Sequence, residues 1–173
     1  MKPILSIIIF LALVPLTACA APPATPLVSP ATFATSAAMP AQTATNTIDE
    51  ETEISTLVEN FGKQLQNVSL QAPDAAQEMQ TQYAEFVTPA LLETWTKAVL
   101  KAPGRIVSSP WPDRIEITNL TKQAFDSYQV SGFVVEITSL EVAGAGTPLR
   151  IPVQMVVQRA QAGWLITEYI EKP

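Results

Sequence analysis

Few side chains in this chain could do chemistry. Of its 173 residues one is cysteine, Cys19, and none is histidine. Without imidazole the commonest general base and metal ligand is missing, and Ser-His-Asp catalysis, Cys-His catalysis and most zinc sites go with it. Acid-base work is left to carboxylates, and Glu168 is the one to follow. A two-residue turn at Gln161-Ala162 sets Glu168 opposite Met155 on the apolar side of a strand, where desolvation would raise its pKa and suit proton transfer. A three-residue turn sends it outward. The acidic group Asp49, Glu50, Glu51 and Glu53 reads as the start of a helix, where carboxylates suit the positive end of the dipole, in preference to a metal site.

Recognition chemistry is suggested by Ser108-Ser109-Pro110-Trp111-Pro112-Asp113-Arg114. Two prolines stiffen the backbone around Trp111, so its indole has little entropy left to lose on binding, and Asp113 and Arg114 could fix a polar partner. Trp111, Asp113 and Arg114 are therefore a candidate rim for a peptide, glycan or protein; alternatively Trp111 plugs the core while the two charges pair on the surface. Tyr83, Trp95 and Trp164 are candidate cavity lining, or simply core. No glycine-rich phosphate loop, metal-ligand spacing or basic patch occurs, so neither a cofactor nor a metal is expected.

Cys19 takes its meaning from what precedes it. Ile4 to Leu16 is apolar except for Ser6 and follows a single cation, Lys2, the layout of a secretory signal. Leu16-Thr17-Ala18-Cys19 resembles a bacterial lipobox, with a branched aliphatic, two small residues and the thiol. The resemblance implies a signal peptide at 1–18, cleavage before Cys19 and lipidation of its sulfur. Several acyl chains hold a protein stably at a bilayer where one holds marginally. The implied location is extracytoplasmic, lipid-anchored to the cell membrane or outer membrane; Ala20 lacks the aspartate that favours inner-membrane retention in the lipobox family.

With ten basic and sixteen acidic residues the chain carries a net charge of −6, which becomes −7 once Lys2 is removed with the signal. An acidic surface repels phosphate backbones, so nucleic acid is not an expected partner. From Ala20 to Thr47 the sequence is almost all Ala, Pro, Thr and Ser. Such a segment buries too little to offset the cost of ordering, and residues 19–48 read as a lipidated cysteine and disordered linker, reaching roughly 30 Å as a coil and about 87 Å if drawn out.

Residues 49–173 read as one α+β domain. Ile54, Leu57, Val58, Phe61, Leu65 and Val68 recur at helical spacing. Asp74 with Gln77 resembles a capping box before a second helix bearing Met79, Tyr83, Phe86 and Val87, and Thr88-Pro89 starts a third bearing Leu91, Leu92, Trp95, Val99 and Leu100. After Gly104 the period becomes two, over four strands: Ile115–Thr118, Tyr128–Leu140, Leu149–Val157 and Trp164–Ile170. Pairing Ile117 with Phe133, Ile115 with Val135, Val135 with Val153 and Ile137 with Ile151 gathers one apolar face and sends Glu116, Thr118, Glu136 and Arg150 to the other.

About three helices on one face of a curved four-stranded antiparallel sheet, ending in a strand that opens Gly163-Trp164, resemble the NTF2-like (cystatin-like) superfamily. The resemblance implies a cone with a pocket between helices and sheet. Some members use it as isomerases or dehydratases and many as non-catalytic binding or assembly modules. The expected function is a non-catalytic domain that binds an envelope protein or a small ligand. The alternatives are an isomerase- or dehydratase-type enzyme using Glu168 and a structural spacer in an envelope complex; a homodimer is compatible with each.

Overall fold

The computed structural model describes residues 42–172, so the signal segment, Cys19 and most of the linker lie outside the described residues. Helix α1 (Gln42–Gln64) is followed by a short 3-10 turn at Leu65–Asn67, then α2 (Ala75–Tyr83), α3 (Pro89–Lys97) and a second 3-10 turn at Val99–Lys101. Strands β1 (Trp111–Ala124) and β2 (Ser127–Ile137), the short helix α4 (Ser139–Val142), β3 (Leu149–Ala160) and β4 (Gly163–Glu171) complete the chain. The sheet is an open antiparallel meander in the order β1-β2-β3-β4. The fold is α+β, as the change of period implies.

Ile54, Val58 and Phe61 on α1 and Leu65 at the start of the 3-10 turn are fully buried, and Leu57 packs beside them. Helix α1 lies against β1 and β4, α3 against β4, and α2 against α3. The approach of α1 to β1 is set by Gly62, where an added Cβ would stand 2.6 Å from the backbone nitrogen of Ile115. Thr88 caps α3 as expected, its hydroxyl accepting from the Leu91 amide at 3.4 Å with Pro89 at the first helical position.

Several expectations about the helices are corrected. Helix α1 begins at Gln42, inside the segment read as linker, so Asp49, Glu50, Glu51 and Glu53 sit in its body, not at its start. Their partners are tertiary. The Glu50 carboxylate accepts from Lys122 at 2.8 Å, the Tyr128 hydroxyl at 2.9 Å and Arg159 at 2.9 Å, while Glu53 accepts from the Trp164 indole at 3.1 Å. The hydrogen bond from Lys122 leads in holding the Glu50 carboxyl below its ordinary value. Asp74 makes no side-chain cap, the 3-10 turn moves Leu100 into solvent, and Thr138 with Glu141 forms a capping box that starts α4 where a continuous strand to Leu140 was expected.

The larger correction concerns register. Between β1 and β2 the expected pairing holds from Asn119 to Lys122 and then slips by one at Thr118, so that Ile117 faces Gly132 and Ile115 faces Val134. Between β2 and β3 the register departs from the expected one by three residues, so that Val134 faces Ile151, Gly132 faces Val153 and Val130 faces Met155, and an odd shift again exchanges the faces. A one-residue slip exchanges the two faces of a strand. Tyr128, Val130 and Val134 thus point to the helices, and Phe133 and Val135 to the far side. Gly132 is where the strands close up, since a Cβ there would lie 2.4 Å from the Glu116 carbonyl oxygen.

The Gly62 contact gives a test in which two effects oppose. Ala is the better helix former by roughly 1 kcal/mol, but its methyl would collide with strand backbone that cannot swing aside. Overpacking of this kind costs about 1–3 kcal/mol, so Gly62→Ala should lower the unfolding free energy in urea; an unchanged or raised value would show that the helix can lift off β1.

Candidate functional site

At the end of the sheet where α1 stops, the strands run on and the helix no longer covers them. The segment Val68–Leu70 and the segment after Ala102 close the gap from the side, joined by hydrogen bonds from Leu70 to the Arg105 carbonyl and from Arg105 to the Val68 carbonyl, each 2.8 Å. A cavity of about 610 Å³ remains between them and the sheet. Its walls are mixed, with the apolar side chains Leu65, Leu70, Val134 and Ile151 inside, Leu100, Ile106, Val107 and Ile170 exposed around the mouth, and polar groups between them.

Three polar groups reach this space from the sheet: Glu136 on β2, and Tyr169 and Glu171 on β4. The slip at Thr118 puts Glu136 on the helix-facing side with Val134, contrary to its expected place on the polar face. A second slip acts on β4. Val157 pairs with Ile166 but Val156 pairs with Glu168, which leaves Thr167 as an extra residue in the strand. Without that bulge, the two-residue turn at Gln161-Ala162 would set Glu168 opposite Met155. With it, Tyr169 takes that position and Glu168 is exposed on the opposite side. Both bulged threonines donate their hydroxyls across the sheet, Thr118 to the Ser131 carbonyl at 3.1 Å and Thr167 to the Val156 carbonyl at 3.2 Å.

The Tyr169 ring meets Trp95 edge-on at 5.9 Å and Phe61 edge-on at 6.0 Å. Its hydroxyl donates to Glu171 at 2.6 Å. Burial, reinforced by the negative charge of Glu171, pushes the phenol well above its ordinary value and keeps it a neutral donor. Glu136 has no hydrogen-bond or ion-pair partner among the described residues. Desolvation first, and the nearby Glu171 second, raise its carboxyl above the usual 4.5. Lys101 also borders the cavity, on the exposed 3-10 turn.

The other candidates lie elsewhere. Tyr83 and Trp95 belong to an aromatic layer with Phe61 behind the cavity wall, and the buried Tyr83 hydroxyl donates to the Pro103 carbonyl at 2.9 Å. Trp164 is at the far end of the sheet, against Tyr128 at 5.4 Å and beneath the Arg159 guanidinium at 4.4 Å. None of these three lines the cavity. Trp111 is half-buried and pairs with Ile137, while its neighbours Pro110 and Pro112 line the cavity instead. Arg114 bonds Asp113 at 2.6 Å and Glu116 at 2.6 Å, and Glu116 also holds Arg150. The structure therefore places Asp113 and Arg114 in a surface ion-pair network, apart from the cavity. Among the described residues no cluster of side chains has the makings of a metal site, and no helix is long and apolar enough to cross a membrane.

No family model and no curated protein matches this chain. Solved structures that it resembles include the intermembrane-space region of the chloroplast protein ARC6, at 18% identity over 78% of this chain and 98% of that one with a TM-score of 0.39, and a variant of Rd1NTF2_05, at 14% identity over 76% of this chain and 99% of that one with a TM-score of 0.33.

The place of Glu136 has a consequence for stability. Its carboxyl titrates at 4.5 when exposed and higher in the fold, so between those values the folded state holds more protons and stability falls as pH rises. Glu136→Gln removes this loss. The variant should melt at a higher temperature than wild type near pH 7 and at the same temperature near pH 3.5, where both forms are uncharged. A lower melting temperature near neutrality would mean that the carboxylate is stabilised by its surroundings.

Proposed function

We propose that this protein is an extracytoplasmic lipoprotein, tethered through Cys19, whose folded part is an NTF2-like binding domain that takes a small ligand in the cavity at the end of the sheet. The observation that carries the binding assignment is the cavity itself. Its volume lies within the ~300–1,000 Å³ usual for small-molecule sites, and its walls combine apolar side chains with a few convergent polar groups.

Binding is favoured over catalysis by the state of those polar groups. Proton transfer to and from a substrate needs a group that takes the proton and one that returns it. The Tyr169 hydroxyl is already committed to Glu171 and is held neutral by burial. Glu168, the acid-base candidate from the sequence, is exposed outside the cavity and cannot reach a substrate there.

The tether rests on the sequence before residue 42, where the apolar run, the small residues and the single thiol stand in lipobox order. Cells grown with an alkynyl fatty acid should label the wild-type protein and not Cys19→Ser, and the wild-type mature chain should begin at residue 19 with a diacylglyceryl mass. Equal labelling of both proteins, or an intact Met1 on the wild type, would overturn the assignment.

A further inference from the structure

The cavity's charge distribution narrows the ligand class. Glu136 and Glu171 come to it from two strands that are not neighbours, β2 and β4. Each carboxylate raises the cost of charging groups near the other: Glu171 acts on Glu136, and both act on Tyr169. Neither glutamate is in an ion pair with any described residue, although Glu50, Asp113 and Glu116 elsewhere on the domain are all paired with lysine or arginine. Among the described residues the one cation lining the cavity, Lys101, is exposed at the mouth, where its long stem lets the ammonium stay in water.

Resting on the small-ligand assignment above, we infer that the cavity is a receptor for an amphipathic monocation, an amine or guanidinium with an apolar body. The cationic head would sit between Glu136 and Glu171 at the sheet, and the body would lie against Val134, Ile151, Leu65 and Leu70. A positive head supplies what two carboxylates without an ion-pair partner lack, and beside the partly desolvated Glu136 that attraction is less screened than in bulk water. Tyr169 fixes one oxygen of Glu171 by its hydrogen bond, so that carboxylate is already oriented before a ligand arrives. An anionic ligand would meet two like charges, and a neutral one would leave both unpaired.

Three probes with one body separate charge from shape: cyclohexylmethylammonium, cyclohexylmethanol and cyclohexanecarboxylate. Binding is measured by calorimetry on the full-length protein in a neutral detergent, with protein-free detergent as the blank. The ammonium should bind about tenfold or more tighter than the alcohol, a difference of roughly 1.4 kcal/mol, and the carboxylate should not bind. Glu136→Gln should cut the preference for the ammonium over the alcohol towards unity, and Glu171→Gln offers an independent check should the first variant unfold. If the ammonium and alcohol bind equally, or the carboxylate binds best, the cation inference fails while the cavity remains a ligand site. If none of the three binds, the small-ligand assignment fails with it.

Discussion

Side chains alternate between the faces of a strand, so one extra residue reverses every position beyond it. Two such residues decide what this domain offers to a ligand. Thr118 in β1 and Thr167 in β4 are each bulged out of the ladder, and each hydroxyl bonds a carbonyl on the neighbouring strand that the disrupted pairing leaves available. Bulges commonly re-aim side chains at the ends of sheets. In this domain they bring Glu136 and Glu171 to the concave side and turn Glu168 away.

The helices exploit that curvature unequally. At the far end, Glu50 and Glu53 on α1 bind Lys122, Tyr128, Arg159 and Trp164, and Arg159 and Lys122 lie over the rings of Trp164 and Tyr128. Hydrogen bonds and ion pairs of this kind are modest singly, but here several converge on one turn of helix, which anchors it to all four strands at once. In the middle, Phe61 joins Tyr83, Phe86, Trp95 and Tyr169 in an aromatic layer. At the near end α1 gives out at Gln64 while the strands continue, and the cavity occupies the uncovered part of the sheet. Tyr169 belongs to both regions, with its ring in the aromatic layer and its hydroxyl beside the ligand space.

This arrangement separates the parts that carry stability from the cavity. The buried residues of the core include no polar or charged side chain, and the carboxylates that need neutralising are paired at the surface. Glu136 is a carboxylate half-withdrawn from water with no ion-pair or hydrogen-bond partner among the described residues. A group left in that state costs stability, which is the cost expected of a residue kept for a ligand and not for the fold.

The order of helices and strands was legible in the sequence because periodicity reports which side of an element is buried. Ile54, Val58, Phe61 and Leu65 could only be a helix stripe, Thr88-Pro89 could only begin a helix cleanly, and the meander followed from short turns between alternating runs. The absence of histidine and the single cysteine likewise bounded the chemistry before any fold was known. What the sequence left open was register. A bulge is one residue among many of similar type, set by how two strands twist and where backbones such as those at Gly132 and Gly62 must touch. The one visible signal, a glutamate inside the apolar run Phe133-Val134-Val135-Glu136-Ile137, could be placed on either face. Periodicity along one chain determined that a sheet would be covered by helices; contact between strands far apart in sequence decided which acids look into the space beneath them.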